Sequence, residues 1–295
     1  MAKPILFDPV KSPYLVDEEF KIKKAPTTPP DDAPGKDENK EALEKQTTKL
    51  CKLQEKLYAD HRYAVLLLFQ AMDAGGKDGT IRAVLSGVNP AGCEVYAFKQ
   101  PSHEELDHDF LWRIQRALPE RGRIGVFNRS HYEEVLVVRV HPEYLEGERL
   151  PKQPKDLDDL WKQRYESIVD AERHWARNGL VILKFFLHVS QKEQHARILE
   201  RIEEDDHNWK FAADDWKESA HWDEYQDAYQ DALRATSKPW APWYAIPADS
   251  KSFMRRTVSE IIVDTVSQLD LEYPTVTDEQ KAQMEKVHKE MVAER

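Results

Sequence analysis

An aspartate, a lysine and a second aspartate stand among three glycines in "QAMDAGGKDGT", residues 70–80. Asp73, Gly75, Gly76, Lys77, Asp78, Gly79 and Thr80 follow the apolar run "YAVLLLF" (63–69) and precede a helix-like stretch. Strand, glycine turn and helix together are the setting of a phosphate-binding loop. Glycines let backbone N–H groups converge on an anion, and the helix start adds partial positive charge. A lysine in such a loop reaches bridging or terminal phosphate oxygens, and its common form is G-x-x-x-x-G-K-[ST]. Here Ala71 replaces the first glycine, and Asp78 replaces the hydroxyl residue that meets magnesium. The plain alternative is a glycine turn carrying a surface lysine; the flanking strand and helix favour the anion site. Without Ser or Thr after the lysine, magnesium needs another ligand. Asp73 is the nearest candidate, since magnesium prefers carboxylate oxygens and water. Asp78 suits the helix dipole but competes with phosphate, so it reads as a residue that organises the loop.

A second group follows the apolar run "RIGVF" (123–127). Asn128 stands where P-loop enzymes place an aspartate. Arg129 comes next, and Glu133 and Glu134 come a turn later. Ligands in open α/β sheets bind outside the carboxyl ends of the strands. The loop after the first strand and Asn128–Arg129 are therefore expected as neighbours. His131 reads as a structural histidine rather than a catalytic base. Glu133 is weighed evenly as a metal ligand or a plain helix-surface residue.

The elements that must position these groups alternate. Strands are expected at 63–69, 93–98, 123–127, 180–187 and, more weakly, 243–247. Helices are expected at 79–88, 103–118, 130–139, 156–178, 190–204 and 211–235. That alternation predicts parallel βαβ units, and near-continuous apolar strands predict a sheet covered on both faces. Before them, residues 1–36 ("KKAPTTPPDDAPGK" within) read as an extended, proline-rich arm. Residues 37–61 read as a helix with Leu43, Leu50, Leu53 and Leu57 on one face. The tail, 249–293, reads as two helices, the second capped by Thr277 or Asp278. The expectation is one α/β domain with helical additions.

The 295 residues, 40% of them hydrophobic, are enough for one large core. No apolar run approaches the ~18 residues of a membrane helix, and no signal peptide is apparent at the start. Cys51 and Cys93 make neither a disulfide framework nor a metal cluster, so cytoplasmic residence is expected. A net charge of −11 argues against broad nucleic-acid or membrane-surface binding. It requires that any phosphate site be built from locally gathered Lys and Arg.

The motifs "MDAGGKDGT", "FKQPSHEELDHDFLWR", "VFNRSHYEEVLVVRV" and "NWKF…ATSKPWAPWYAIPAD" together resemble the polyphosphate kinase 2 family, from about residue 40 to 270. Asn128 and "HYEE" resemble its class III. Class I carries aspartate where this chain has Asn128 and asparagine where it has Glu133. The resemblance implies a three-layer α/β/α P-loop-kinase-like fold, a parallel sheet of about five strands and a helical lid at about 195–240. It implies phosphoryl transfer from inorganic polyphosphate to nucleoside mono- and diphosphates, AMP and ADP, with Mg2+. It makes Asp73 the magnesium-binding loop aspartate, Lys77 the loop lysine, and Arg129 the arginine at the transferred group. Gly75 to Thr80, Asp78 included, would cradle phosphates. Lys99 and Arg113 would line a phosphate channel, and Arg197 and Arg201 would be lid arginines on one helix face. Arg82, Asn128 and Arg139 complete the expected phosphate-binding set, and Asp73 with Glu133 the metal set. Asp205 departs from the proline that family members often carry. A homodimer or homotetramer is implied. Of the aromatic residues from Trp209 to Tyr244, most are expected to pack rather than stack a base.

The acceptor oxygen in such a reaction is already ionised, so positioning and cations matter more than a base. Direct in-line transfer is expected. Two rivals stay open: an ATP-dependent nucleoside monophosphate kinase, whose loop should keep Ser or Thr after the lysine, and a non-catalytic polyphosphate-binding protein, which needs no Asp73 or metal.

Overall fold

The computed structural model describes residues 6–152, 156–204 and 213–294. Five strands form one parallel sheet: β1 (Ala64–Gln70), β2 (Cys93–Ala97), β3 (Ile124–Asn128), β4 (Leu180–His188) and β5 (Trp243–Pro247), in the order β2-β3-β1-β4-β5. Every residue of β1, β4 and β5 is buried, which explains their near-continuous apolar sequence. β1 is central: the chain adds β2 and β3 on one side of it and then crosses to add β4 and β5 on the other, which makes its carboxyl end the switch point of the sheet.

The longer helices are α1 (Lys36–Asp60), α2 (Lys77–Val84), α3 (Leu157–Arg177), α4 (Gln191–Glu203), α5 (Trp222–Thr236), α6 (Lys251–Val266) and α7 (Asp278–Ala293). α1 and α2 both pack on α6, while α5 packs on α3 and on the short helices after β3. Leu50 and Leu57 of α1 are fully buried. Thr277 caps α7 through a reciprocal pair with Gln280: each side chain accepts the other's backbone N–H.

The observed elements depart from the expected ones at capping and breaking points. α2 begins at Lys77 and ends at Val84, shorter than 79–88, ahead of Gly87 with φ 82°. The stretch 103–118 is two short turns, His103–Leu106 and Trp112–Arg116. The stretch 130–139 is a 3-10 segment, His131–Val135, followed by Val137–Val140. Ser130 is responsible locally, because its hydroxyl accepts the Tyr132 N–H and competes with a regular helix. The described part of 211–235 is a short helix, Ala213–Glu218, a 3-10 turn and α5.

The proline-rich arm is extended but not loose. Phe7, Val16 and Ile22 are buried in the core. The Val16 N–H donates to the Trp243 carbonyl at 2.9 Å, and the Ala245 N–H to that of Tyr14 at 2.8 Å. The arm thereby covers the outer edge of β5, which would otherwise present unpaired backbone groups.

Lys184, mid-way along β4, is fully buried in this apolar sheet. Its ammonium donates to Glu172 Oε2 at 2.6 Å, the Tyr132 hydroxyl at 2.8 Å and the Thr236 carbonyl at 2.9 Å. The Tyr132 hydroxyl donates in turn to Glu172 Oε1 at 2.9 Å. Burial pushes Lys184 down to about 8, with Glu172 pulling the other way. The cluster ties β4 to α3, to the end of α5 and to the segment after β3. Lys184→Met is expected to cost about 3–5 kcal/mol in urea unfolding, because it strands the Glu172 carboxylate in the core. Lys184→Met combined with Glu172→Leu should recover most of that loss. A single-variant loss below ~1 kcal/mol would show that the pair is not what anchors these elements.

Candidate active site

The loop between β1 and α2 is shaped by its own backbone. The Gly75 N–H donates to the Met72 carbonyl at 3.0 Å and closes a turn. A Cβ on Gly75 would lie 2.6 Å from the Ala71 Cβ and 2.8 Å from the Met72 oxygen, so only glycine fits. Gly76, at the N-cap of α2, has φ 93°, a left-handed conformation that glycine adopts freely. Neighbouring side chains then seize the loop carbonyls. Lys77 curls back to donate to the Ala71 oxygen at 2.9 Å. Gln194 of α4 donates to that of Asp73 at 3.1 Å. Arg197, also of α4, donates to the oxygens of Ala74 at 3.3 Å and Ala248 at 2.6 Å, and its Nε to Glu193 at 2.8 Å.

Sheet register brings the second group to this loop. Phe69 lies opposite Asn128, and the Arg129 N–H donates to the Phe69 oxygen at 3.1 Å, one step beyond the ladder. Arg129 has φ 63°, a left-handed backbone that is uncommon outside glycine. Its guanidinium donates to Asp73 Oδ1 at 2.8 Å and lies 3.8 Å from Glu133 Oε2. Asn128 donates its side-chain amide to Asp78 Oδ1. Each loop carboxylate is thus held by a residue at the end of β3.

These contacts shift the protonation of the groups involved. Burial, and next the Arg129 charge, push the Lys77 ammonium below the usual lysine range. Burial works against the Arg129 charge, but Glu133 and Asp73 outweigh it and hold the guanidinium above its usual value. Burial raises the Glu133 carboxyl, against the pull of Arg129 and Lys77.

The loop opens into a cavity of about 870 Å³. Eight Lys and Arg residues line it, against four carboxylates. Asp73, Gly75, Gly76, Lys77, Asp78, Gly79, Arg82, Lys99, Asn128, Arg129, Arg197 and Arg201 all lie on its wall. A second chamber of about 250 Å³ shares Asp73, Arg129 and Asp215 with it.

Four sequence-expected residues lie elsewhere. Thr80 is buried, and its hydroxyl and its N–H both go to the Gly76 carbonyl, at 2.9 and 3.0 Å, so it offers nothing to an anion. Arg113 is buried beside Glu134 at 3.4 Å and donates to the Lys99 carbonyl at 2.8 Å; it braces the channel wall from behind. Arg139 faces a separate groove, where it donates to Asp231 at 2.7 Å and to the Tyr165 hydroxyl at 2.8 Å. Glu133 faces the second chamber rather than the basic cavity. Thr80 is taken by its own helix start, and Arg113 and Arg139 by partners from other segments that linear spacing does not display.

His131 is buried against Tyr132 and Trp175, with Glu172 at 3.6 Å, well placed for packing. Among the aromatic residues, Tyr225, Tyr229, Trp243 and Tyr244 are buried and Trp216 is exposed. Trp209, Phe211 and Asp205 lie outside the described residues. Arg201 pairs with Asp215 at 2.7 Å, and Glu200 with Lys251 at 3.4 Å.

Sequence reasoning missed Arg255, Lys251, Asp215 and Gln194. Arg255 makes no hydrogen bond or ion pair among the described residues, and its Nε is buried without a partner. Burial lowers its charge affinity, and the like charges of Arg82 and Arg197 lower it further. The signal was available for two of them: Lys251 and Arg255 open the helix that follows β5, at the same carboxyl edge of the sheet as the loop.

The family model described as Polyphosphate kinase 2 (PPK2) matches residues 34–274. The chain belongs to the polyphosphate kinase 2 family. It is an enzyme, a phosphotransferase of the polyphosphate-dependent nucleotide kinase kind. It is 49% identical, over 93% of its length and 95% of the relative's, to the ADP-polyphosphate phosphotransferase of Rhodopseudomonas palustris. It is 46% identical to the AMP/ADP-polyphosphate phosphotransferase of Meiothermus ruber, over 81% of this chain and 85% of that one. Among solved structures, polyphosphate kinase 2 from Arthrobacter aurescens TC1 superposes with a TM-score of 0.87 at 33% identity, covering 97% of this chain and 98% of that one. The fold is α/β, consistent with the P-loop-kinase-like expectation. No described helix is long and apolar enough to cross a membrane.

Lys77→Ala and Arg129→Ala are each expected to lower turnover at least ~100-fold, since one preorganised charge at a transferring group is worth about 3 kcal/mol. Steady-state assays with folded variants check this. Turnover within tenfold of the parent for both would move the active site away from this loop.

Proposed function

We propose that the chain transfers the terminal phosphoryl group of inorganic polyphosphate to AMP and to ADP, by direct in-line displacement assisted by magnesium. One observation carries this reading: a large cavity rich in cations meets a small, carboxylate-lined chamber at Asp73 and Arg129. A long polyanion suits the first, and a nucleotide that presents its phosphate at the junction suits the second. The names of the two relatives agree on ADP and differ on AMP. Acceptance of AMP rests on the class III pattern at Asn128 and Glu133, where neutral Asn128, on the wall of the larger cavity, leaves one negative charge fewer near the junction at which the phosphates meet.

In this mechanism an acceptor phosphate oxygen attacks the terminal phosphorus. A new P–O bond forms as the bridging P–O bond breaks, and the shortened chain leaves with the electron pair. No proton must be removed from the acceptor, so Arg129 and Lys77 act by stabilising charge on the transferring group. Arg82, Lys99, Arg201 and Arg255 hold the rest of the donor. Arg197 fixes the loop carbonyls with its tip on the cavity wall.

Among the described residues no group of three or more His, Cys, Asp or Glu side chains could hold a metal ion by itself. Magnesium that arrives on phosphates keeps waters and takes only one or two protein carboxylates. Asp73 and Glu133, both beside Arg129, would hold it. When bound it supplies neutralisation of phosphate charge.

Assembly as a homodimer or homotetramer belongs to this reading. It is supported by α7, which buries none of its residues and exposes Met284, Val287 and Met291. Free Cys51 and Cys93 suit a cytoplasmic compartment.

The test follows AMP mixed with polyphosphate and magnesium in ATP-free buffer, where ADP and then ATP are expected. If only ADP is an acceptor, the AMP half is wrong. If neither reacts while ATP phosphorylates a nucleoside monophosphate, the donor is wrong. Asp73→Asn should raise the magnesium concentration needed for half-maximal rate, and an unchanged titration would place the metal elsewhere.

A further inference from the structure

The small chamber has a chemistry of its own. Met72, Leu136, Val137 and Tyr229 give it apolar walls. Its described polar groups, Arg129 apart, are mostly acceptors: Asp73, Glu133, Asp215, Glu218 and Gln194. Gln194 is the informative one. It is 1% exposed, and its Oε1 is buried with no hydrogen-bond partner among the described residues. The orientation of the amide is determined by its other end. Nε2 donates to the Asp73 carbonyl at 3.1 Å. Exchanging the two atoms would set an oxygen against that carbonyl oxygen, so the oxygen is the unsatisfied end. A buried acceptor left unpaired is costly, and a ligand donor would relieve it. The neighbouring carboxylates favour donors too. The Glu218 carboxylate already accepts from the Tyr225 hydroxyl at 2.7 Å and stands 3.0 Å from His141 Nε2, which orients it.

The volume points the same way. About 250 Å³ with apolar walls is just under the ~300 Å³ at which small-molecule pockets commonly begin. The chamber suits a flat heterocycle better than a phosphate chain, which three carboxylates beyond those of the loop would repel.

We infer that this chamber takes the base of the acceptor nucleotide, and that Gln194, with the carboxylates around it, selects bases carrying an exocyclic amino group over bases that present a carbonyl there. This rests on the nucleotide-kinase reading above and assigns the base-reading residues of that same site. Adenine and cytosine satisfy the Gln194 oxygen. Uracil and hypoxanthine set an oxygen against it and leave the acceptor unpaired. Gln194 is a specificity residue here, through a contact to the base far from the reacting phosphorus.

The experiment compares kcat/KM for matched diphosphates with polyphosphate as donor: CDP against UDP, and ADP against IDP. Each pair is close in size and differs at the amino position. The amino-bearing member is expected to win by about tenfold in both pairs. Gln194→Leu should narrow both ratios to within about twofold. Because Gln194 also braces the Asp73 carbonyl, a second variant leaves that brace alone: Val137→Phe, at a partly exposed position on the chamber wall, should raise the nucleotide KM at least tenfold while the polyphosphate KM stays within threefold. Equal rates for all four nucleotides in the parent, or an unmoved nucleotide KM in Val137→Phe, overturns the inference and leaves the kinase reading intact. Failure of polyphosphate to phosphorylate any of the four overturns both.

Discussion

The site depends on one residue, Arg129, in a backbone conformation that costs energy. Its left-handed φ ends β3 abruptly, yet its N–H still reaches the Phe69 carbonyl and extends the pairing of β1 with β3 by one step. The same residue turns its guanidinium onto Asp73, on the loop that leaves β1. Backbone and side chain together clamp the ends of two adjacent parallel strands. A non-glycine residue at positive φ persists only where its surroundings over-determine it. Here the ladder bond, the Asp73 pair and the nearby Glu133 do so, and the reward is a cation aimed at the junction of two cavities.

The cations of the site fall into two kinds. Lys77 and Arg197 are occupied with loop carbonyls, so they give the loop its shape before any anion arrives. The side chains of Arg82, Lys99 and Arg255 have no hydrogen bond or ion pair among the described residues, and Arg255 is repelled by its like-charged neighbours. Such a cluster is unfavourable alone and becomes favourable around a polyanion, so the donor path proposed above rests on charges the fold leaves unmatched. Deeper in the sheet the rule is reversed. Lys184, Glu172 and Tyr132 satisfy one another completely, and their bonds connect β4 to the segment that carries Arg129 and Glu133.

The chain's large alignment with a solved relative at modest identity shows where sequence constraint lies. At 33% identity the two structures superpose over nearly their whole lengths. The sheet order and the loop after β1 need only apolar strands and a few glycines, which many sequences supply. The finer choice among acceptors is made by side chains such as those of the small chamber, where a single amide changes which base is paired.

Much was legible in the sequence because it rests on local rules. Short, mostly apolar runs marked all five strands within a residue or two; β1, β4 and β5 are buried on both faces and leave almost no polar alternation, while the edge strand β2 is largely exposed and was marked by its β-forming residues. Gly75 and Gly76 marked the loop because no other residue fits those positions. The loop of Asp73 and Lys77 was expected beside Asn128 and Arg129, and lies there, because strand ends on one edge of a parallel sheet are neighbours whatever the details between them. The arm at residues 1–36 looked extended but gave no sign that it would cover the edge of β5, because its few apolar residues find partners more than 200 residues away. Arg113, Arg139 and Thr80 carried the right chemistry but were claimed by Glu134, Asp231 and the Gly76 carbonyl. Gln194 sits in a sequence context that looks like ordinary helix surface, and Arg255, although it opens the helix after β5, carries no mark of how its side chain will be partnered. Their roles arise from which atoms are left without partners once the helices have packed, and that is decided only when distant segments meet in three dimensions.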